Sequence, residues 1–557
     1  MQPTLEQRRL AEAPRLSLKR PDDLWLVVGV SLLALVPRVV TALAAFRTTD
    51  ESAWRFLSWN FADAVTTGDF QSASAQAITH MDYTSPGVTT MWIGSVGRAI
   101  WAAGHGWGLW ATEDDASFLT SPSGLNIAQI TMAVVTAALI GGLVLLLVRW
   151  VGRGAAAVAG VILATEPFFV AHGAVLHTDE LLALFGVAAL VATALALGVP
   201  RHTAWEGRPW AGALAGALFA GGWLTKVTAL MFLPTVALLG MWAVVRNLRE
   251  PNAGEPRTIT LAPVLRTGCW WLLAAVVVSV ALYPALWVAP FDELAFIRRS
   301  ASVGAQGHTQ FFRGEVTPTP GALFYPISLS LRTTPWFFLA GVISAIAVWV
   351  PRATRGFGAA LACMAVPPFI VLSLASKQFD RYGMALLVVA AITTGVVVAS
   401  GARRLAKDAA PRRLLGVASL VTAVGLGVYS LVIAPWGLAY FNPALGGGSV
   451  AERTVPIGWS EGFERADQFI ARRETGRCDA ITILAPRSQV APAQDIFPCG
   501  TRVSTTEHAT YVVIYVSVRQ RTDPDELDAM TRGRELIGTI EELGVTYAEI
   551  YGPRADE

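Results

Sequence analysis

Two pairs of neighbouring acidic residues could do chemistry: Asp50 with Glu51, and Asp179 with Glu180. The first pair directly follows an apolar stretch long enough to cross a membrane, and the second pair opens another such stretch. Ionisable side chains at membrane depth cost free energy, and for that reason they are usually functional. The pairs are therefore candidates for general acid–base chemistry at the edge of a membrane.

Several cations lie near the same ends of the apolar stretches as the acidic pairs. They are Lys226, Arg332, Lys377 and Arg381. Fixed positive charges can bind the phosphate of a lipid head group while a carboxylate removes a proton from a second substrate. This combination indicates a substrate in which a lipid carries a phosphate.

Each of these side chains also has a purely structural explanation. A carboxylate at a helix start is often a cap that the helix dipole stabilises, which applies to Asp179. A Lys or Arg at a membrane edge commonly extends its charge towards the head groups, which applies to Lys377. His80, His105 and His308 do not have the spacing of metal ligands, so no structural zinc is expected.

The elements that must position these groups are membrane helices. The chain has 557 residues, of which 53% are hydrophobic and 15% charged, with a mean hydropathy of +0.48. This composition excludes an ordinary soluble domain, and the net charge of +2 gives no indication of a nucleic-acid partner. About eleven transmembrane helices are predicted, at 24–46, 127–148, 154–172, 180–199, 209–225, 227–245, 267–290, 333–350, 356–376, 382–400 and 414–436.

The distribution of basic residues predicts how these helices are oriented. With a cytoplasmic N-terminus, 20 of the 43 Lys and Arg residues fall in short cytoplasmic segments, as the positive-inside rule requires. The weaker candidate 87–104 is interpreted as an interfacial or re-entrant helix, because counting it as a span would place the acidic segment 105–126 in the cytoplasm. The C-terminal part of the chain is then expected on the outer side of the membrane.

The C-terminal part differs in composition from the membrane helices. Strands are predicted at 480–484 and 511–518, and a helix at 526–543, which together indicate a small α/β domain of about 100 residues. Cys478 and Cys499 lie in this domain. An oxidising compartment favours a disulfide between them, worth about 3 kcal/mol, and two separate thiols are the alternative.

Eight short segments resemble motifs of the GT-C glycosyltransferases, in particular the protein O-mannosyltransferase and aminoarabinose transferase type. Segment 49–70 resembles their first outer loop, with Asp50, Glu51 and Arg55 followed by a Gly-Asp-Phe ending. Segment 177–185, HTDELLALF, is similar to their second acidic motif. The remaining segments are similar in order and placement, at 83–92, 224–227, 307–314, 323–326, 381–382 and 440–462.

The resemblance implies an α-helical polytopic membrane protein of the GT-C fold, with outer juxtamembrane helices and a small α/β extracytoplasmic domain. It divides the chain into a cytoplasmic tail, a transmembrane catalytic domain with two long outer loops, and the outer domain. The expected bounds are 1–23 for the tail, 24–440 for the catalytic domain with its loops at 47–126 and 291–332, and 441–557 for the outer domain. The protein is expected to cross the plasma membrane several times.

The resemblance further implies transfer of a sugar from a polyprenyl-phosphate carrier to an acceptor hydroxyl, with inversion. Asp50 is expected to act as general base on the acceptor, and Glu51 to orient the acceptor or hold Arg55. Asp179 would bind sugar hydroxyls or orient Lys226. The residues expected to bind the substrate or its lipid phosphate are Arg55, Tyr83, Asp179, Glu180, Lys226, His308, Arg332, Lys377, Arg381 and Tyr382.

One position departs from the pattern of the aminoarabinose transferases. Those proteins have a Lys just before a Pro pair, and it serves the lipid phosphate, whereas Thr84 and Ser85 precede Pro86 here. Phosphate binding must then come from the other cations named above.

Three other functions are compatible with the sequence. The acidic pairs could ligate Mg²⁺ in an oligosaccharide transferase or ligase that uses a lipid diphosphate carrier. A secondary transporter also places charges among membrane helices, although transporters commonly show internal repeats and this sequence shows none. A non-catalytic sensor would use the outer domain to bind sugar.

No cofactor is expected for the main interpretation, and the expected partners are the lipid-linked donor, the bilayer and a protein, lipid or glycan acceptor.

Overall fold

The computed structural model describes residues 21–44, 46–75, 86–110, 118–249, 261–305, 309–405, 409–475, 477–485 and 499–553. Helices make up most of it. The first nine are α1 (Pro21–Ala44), α2 (Thr49–Thr67), α3 (Val88–Gly106), α4 (Pro122–Trp150), α5 (Arg153–Thr165), α6 (Pro167–Ala174), α7 (Asp179–Leu197), α8 (Pro209–Thr225) and α9 (Leu233–Arg249).

The following helices complete the membrane part and its connections. They are α10 (Ala262–Leu282), α11 (Ala285–Val288), α12 (Pro290–Ala305), α13 (Phe324–Arg332), α14 (Pro335–Ala347), α15 (Arg352–Leu374), α16 (Met384–Leu405) and α17 (Ala409–Ile433). A short antiparallel hairpin, β1 (Gln310–Phe312) and β2 (Glu315–Thr317), lies between α12 and α13.

Seven helices of the described residues are long and apolar enough to cross a membrane, or up to nine if each of two bent helix pairs counts as one span. The predicted span at 154–172 is one of these pairs, because α5 and α6 meet at an angle of 64°. Pro167 explains the break, since a residue before proline avoids helical geometry and Glu166 is extended. The predicted polytopic helical membrane fold is confirmed in this coarser form.

Helix α7 lies at the centre of the bundle. Almost all of its side chains are buried, and it packs against α4, α8 and α16. Helix α8 also packs along α10, and this contact is close because α8 contains small residues: a Cβ at Gly216 would lie 1.9 Å from the carbonyl oxygen of Trp271. Small residues let membrane helices approach each other in this way.

Helices α2 and α3 pack against each other beside the bundle. The backbone N–H of Thr48 donates to the Glu51 carboxylate at 3.0 Å, which fixes the start of α2. Helix α3 covers the predicted interfacial segment at 87–104 and is not among the helices that qualify as spans.

The C-terminal domain is built on a five-stranded sheet in the order β4-β3-β5-β7-β6. Its strands are β3 (Thr482–Leu484), β4 (Thr501–Arg502), β5 (Tyr511–Tyr515), β6 (Glu535–Glu542) and β7 (Val545–Gly552). Its helices are α18 (Gly447–Glu452), α19 (Phe463–Arg473), α20 (Val516–Arg519) and α21 (Pro524–Thr531). Cys478 and Cys499 form a disulfide, the pair that the sequence predicts.

The predicted helix at 526–543 is wrong over its second half. Helix α21 ends at Thr531, and the next residues form β6, which pairs with β7 in an antiparallel hairpin. Leu543 and Gly544 both have positive φ, 46° and 80°, as a tight hairpin turn of the I′ type requires. The charged residues of β6 have a spacing that is typical of a helix. The segment is nevertheless a strand, because the hairpin turn and the hydrogen bonds to β7 stabilise the extended backbone.

The packing of α8 on α10 predicts different effects for two helical glycines. Gly216→Leu should lower the free energy of unfolding by about 2 kcal/mol or more, because the side chain must displace backbone. Gly240→Leu is the matched control, since a Cβ at Gly240 meets nothing within 4 Å. Thermal unfolding of both variants in detergent measures the difference, and equal midpoints would contradict this packing.

Candidate active site

Five charged or titratable side chains meet where several membrane helices end. Asp50 is in the first turn of α2, His177 and Asp179 stand at the start of α7, Lys226 follows α8, and Arg381 precedes α16. We call these residues the charge cluster. None lies inside a long uninterrupted helix, because each is at a helix end or in a break between helices, where the backbone can turn a side chain towards its neighbours.

Asp179 is the buried centre of the charge cluster, with a side chain only 1% exposed. Its Oδ1 lies 2.6 Å from Nζ of Lys226, and its Oδ2 lies 2.9 Å from Nε of Arg381. Nδ1 of His177 is 3.3 Å from Oδ2 as well. One carboxylate therefore holds two cations that come from different parts of the chain.

Asp50 is more open, with 27% of its side chain exposed. Its Oδ2 accepts a hydrogen bond from Nε1 of Trp459 at 2.9 Å and lies 3.3 Å from Nε2 of His177. Nη2 of Arg381 is 3.7 Å away. Burial would raise the pKa of the Asp50 carboxyl, but His177, Arg381 and Trp459 together lower this pKa to about 2. Asp50 is thus a carboxylate at neutral pH.

Aromatic rings hold the two cations of the charge cluster in place. Nζ of Lys226 lies 3.9 Å from the ring centroid of Tyr382. The Arg381 guanidinium lies 4.5 Å from the ring of Phe379 and 4.8 Å from that of Trp459. Such cation–π contacts stabilise a positive charge without neutralising it. The cations therefore keep the ability to attract an anion.

Arg332 contacts the charge cluster indirectly, through Asp380. Its Nε lies 2.6 Å from Oδ2 of Asp380, and Oδ1 of Asp380 accepts from the backbone N–H of Arg381 at 2.7 Å. Nη1 of Arg332 also donates to the carbonyl oxygens of Leu438 and Tyr440. Arg332 thereby fixes the segment that carries Arg381 and joins it to the chain leading into the C-terminal domain.

The second member of each acidic pair faces away from the charge cluster. The Glu51 carboxylate accepts from the backbone N–H groups of Thr48 and Leu176 and from Nε2 of Gln129. Glu180 forms a buried ion pair with Arg38, in which Nη2 and Oε1 are 2.9 Å apart. Both contacts join helices to each other.

The other predicted site residues have different surroundings. Arg55 is buried and donates to the carbonyl oxygens of Phe118 and Ser121, so it braces the start of α4. Lys377 lies 5.7 Å from the ring centroid of Phe379. Tyr83 and His308 lie outside the described residues.

Two residues of the site were not among the predicted site residues. His177 bridges Asp50 and Asp179, and the signal for it is its position two residues before Asp179 in the segment HTDE. Trp459 lies in segment 440–462, one of the segments that resemble family motifs, but nothing in the sequence links it to Asp50, which is 409 positions away.

In the part of the chain that the structure describes, no group of three or more His, Cys, Asp and Glu side chains is arranged to hold a metal ion. The carboxylates of the charge cluster are instead neutralised by Lys226, Arg381 and their neighbours. The arrangement suits the binding of an anion next to an ionised carboxylate.

The fold resembles those of several solved structures. ArnT from Cupriavidus metallidurans in the apo state matches with a TM-score of 0.51 at 14% identity, over 94% of this chain and 97% of that chain. The same protein bound to undecaprenyl phosphate matches with a TM-score of 0.50 at 14% identity, over 95% and 97%. The apo oligosaccharyltransferase of Archaeoglobus fulgidus gives 0.48 at 12% identity, over 93% and 72%.

This similarity shows that the protein has the polytopic helical GT-C fold that the sequence motifs predict. Residues 57–298 match the family described as dolichyl-phosphate-mannose-protein mannosyltransferase, which confirms the predicted resemblance. No curated protein matches the chain in sequence.

The buried pair of Arg38 and Glu180 predicts that Glu180 acts on stability. Glu180→Leu should lower the free energy of unfolding by about 3 kcal/mol, because it leaves the Arg38 guanidinium buried without its partner. Combining it with Arg38→Met should restore most of that loss, which unfolding in detergent measures. A single variant of wild-type stability with weakened substrate binding would instead support the predicted binding role.

Proposed function

We propose that this protein transfers a sugar from a polyprenyl-phosphate carrier to an acceptor hydroxyl at the outer face of the membrane, with inversion at the anomeric carbon. The observation that carries the proposal is the charge cluster, in which Lys226 and Arg381 share Asp179 directly beside the ionised Asp50. The match to a mannosyltransferase family and the ArnT structure with undecaprenyl phosphate support the same substrate class.

The two cations are suited to bind the phosphate of the carrier. In the free protein they are held by Asp179, and the aromatic rings of Tyr382, Phe379 and Trp459 keep them oriented. A phosphate that approaches from the lipid side finds an ammonium and a guanidinium already in place, so little reorganisation is needed. The guanidinium is also able to form paired hydrogen bonds to phosphate oxygens.

Transfer then needs one proton acceptor and one leaving group. The acceptor oxygen bonds to the anomeric carbon while the bond from that carbon to the phosphate oxygen breaks. Asp50 takes the proton of the acceptor hydroxyl, and the polyprenyl phosphate leaves with the electron pair. The extra negative charge on the leaving phosphate is stabilised by Lys226 and Arg381.

Donor binding would also make Asp50 a stronger base. Arg381 lies 3.7 Å from Asp50 and lowers the pKa of the carboxyl, which makes the carboxylate a weak base in the free protein. When the carrier phosphate attracts the guanidinium, that stabilisation of the carboxylate weakens and its pKa rises. The acceptor is thus deprotonated chiefly when the donor is present.

Asp50→Asn tests the proposed base. The variant should lose about two to four orders of magnitude in kcat, since an amide cannot accept the proton, while it binds the carrier with little change. Sugar transfer from a polyprenyl-phosphate donor measures kcat, and thermal unfolding verifies that the variant is folded. Undiminished turnover would exclude Asp50 as the base.

Lys226→Met and Arg381→Leu test the phosphate site. Each should lower kcat/KM for the donor by about tenfold to a hundredfold, because each removes one charged contact to the phosphate. Arg98→Met is the control, since Arg98 pairs with Asp63 and stacks on Trp59 outside the charge cluster. Donor kinetics like those of the control variant would contradict the assignment.

The pH dependence should differ between the free and the donor-bound protein. Because the pKa of Asp50 is about 2 in the free protein, kcat/KM should not decline through protonation of Asp50 above about pH 3. The decline of kcat at low pH should occur at higher pH, because donor binding raises the pKa of Asp50. If kcat and kcat/KM declined at the same acidic pH, this coupling would be contradicted.

The reaction rate in EDTA tests the metal-dependent alternative. An unchanged rate would argue against a metal-dependent transferase.

A further inference from the structure

The C-terminal domain contributes a side chain to the charge cluster. Trp459 lies in the segment between α18 and α19, and its side chain is almost completely buried, with a residue exposure of 8%. Its indole Nε1 donates to Oδ2 of Asp50 at 2.9 Å. The proposed base of a membrane-embedded site is therefore held by a residue from the other end of the chain.

The ring of Trp459 also contacts the neighbours of Asp50. It stacks on His172 with centroids 5.6 Å apart and meets His177 edge to face at 4.9 Å. The guanidinium of Arg381 lies 4.8 Å from its centroid. One ring thus contacts both the histidine and the arginine that determine the charge around Asp50.

The backbone around Trp459 has an unusual shape. Gly458, Ser460 and Gly462 have φ values of 113°, 80° and 83°. Glycine adopts this region easily, but Ser460 does so only where the surroundings compensate for the strain. The alternating turns push the indole out of the segment and towards Asp50.

The domain supplies the contacts that hold this shape. Oε2 of Glu461 accepts from the backbone N–H of Trp459 and from the Tyr515 hydroxyl, the latter at 2.9 Å. Oε1 of Gln520 accepts from the backbone N–H of Ile457 at 3.0 Å. Tyr515 ends β5, and Gln520 directly follows α20, so the segment is fixed to the sheet of the domain.

We propose that Trp459 is a positioning residue through which the C-terminal domain orients Asp50 for deprotonation of the acceptor. This inference rests on the proposed function. The indole N–H fixes which oxygen of Asp50 is engaged and leaves Oδ1 for the acceptor hydroxyl. The carrier phosphate is bound by Lys226 and Arg381, so the role of the indole N–H is limited to the step that involves Asp50.

Trp459→Phe tests the role of the indole N–H, because phenylalanine keeps an aromatic ring and removes the donor. The variant should lose about tenfold in kcat with an unchanged KM for the donor, because the carboxylate is no longer held in one orientation and this loss outweighs its higher basicity. Losing a donor to the carboxylate raises the pKa of Asp50, so the acid limb of kcat should move to higher pH. Trp436→Phe is the control, since Trp436 lies in the same junction and contacts Arg465 outside the charge cluster.

A second variant separates positioning from general stability. Tyr515→Phe removes the hydroxyl that donates to Glu461 but leaves Trp459 itself unchanged. If the domain orients Asp50, kcat of this variant should decrease and its acid limb should move in the same direction as in Trp459→Phe. Thermal unfolding in detergent shows whether each variant is folded.

The outcomes distinguish this inference from the proposed function. Wild-type protein that transfers no sugar from any polyprenyl-phosphate donor refutes the proposed function. An active wild type with a Trp459→Phe variant of equal kcat and pH profile refutes only the positioning role. In a third outcome, both variants have a lower kcat and a lower unfolding temperature, but the pH at which kcat declines on the acidic side is unchanged. Trp459 would then only stabilise the fold, and the positioning role would be refuted as well.

Discussion

The ion pairs of Asp179 are the interaction on which the rest of the site depends. A carboxylate that is 1% exposed is costly to bury unless cations accompany it, and here Lys226 and Arg381 do so. These residues come from the start of α7, the end of α8 and the segment before α16. The requirement to neutralise one buried charge therefore determines how three parts of the membrane bundle meet.

The same network continues from Asp179 through His177 to Asp50, and Trp459 then binds Asp50 from the C-terminal domain. Helix α2, the membrane bundle and the C-terminal domain thus meet around one carboxylate. This division separates two tasks of the proposed reaction. In that proposal, cations on the bundle side stabilise the phosphate of the donor, whereas Asp50 at the start of α2, which is more exposed than Asp179, takes the proton of the acceptor.

Much of the site was predictable because helix ends on one side of a membrane lie close together. Asp50, Asp179, Lys226 and Arg381 were named from their positions at such ends, and Tyr382 from the resemblance to family motifs. The sequence could not show which member of each acidic pair faces the site, because successive helical residues point about 100° apart and packing selects between them. Gln129 and Arg38, which bind Glu51 and Glu180, come from other helices, and the sequence does not show these pairings.

The parts that sequence analysis missed depend on long-range pairing. Trp459 reaches Asp50 only because the sheet of the C-terminal domain fixes its segment. Strand β6 was predicted as a helix because its charges have a helical spacing, whereas the turn at Leu543 and Gly544 and the pairing with β7 make it a strand. In both cases the deciding contacts are tertiary.

The proposed function requires the charge cluster to cleave the bond between a sugar and a polyprenyl phosphate. Mass spectrometry of the lipid fraction tests it most directly, after the purified protein is incubated with defined polyprenyl-phosphate sugars and membrane-derived acceptors. If the charge cluster carries out this cleavage, the products are free polyprenyl phosphate and an acceptor whose mass has increased by one sugar. Donors that remain intact with every sugar and acceptor, or release of a polyprenyl diphosphate from a diphosphate donor alone, would contradict it.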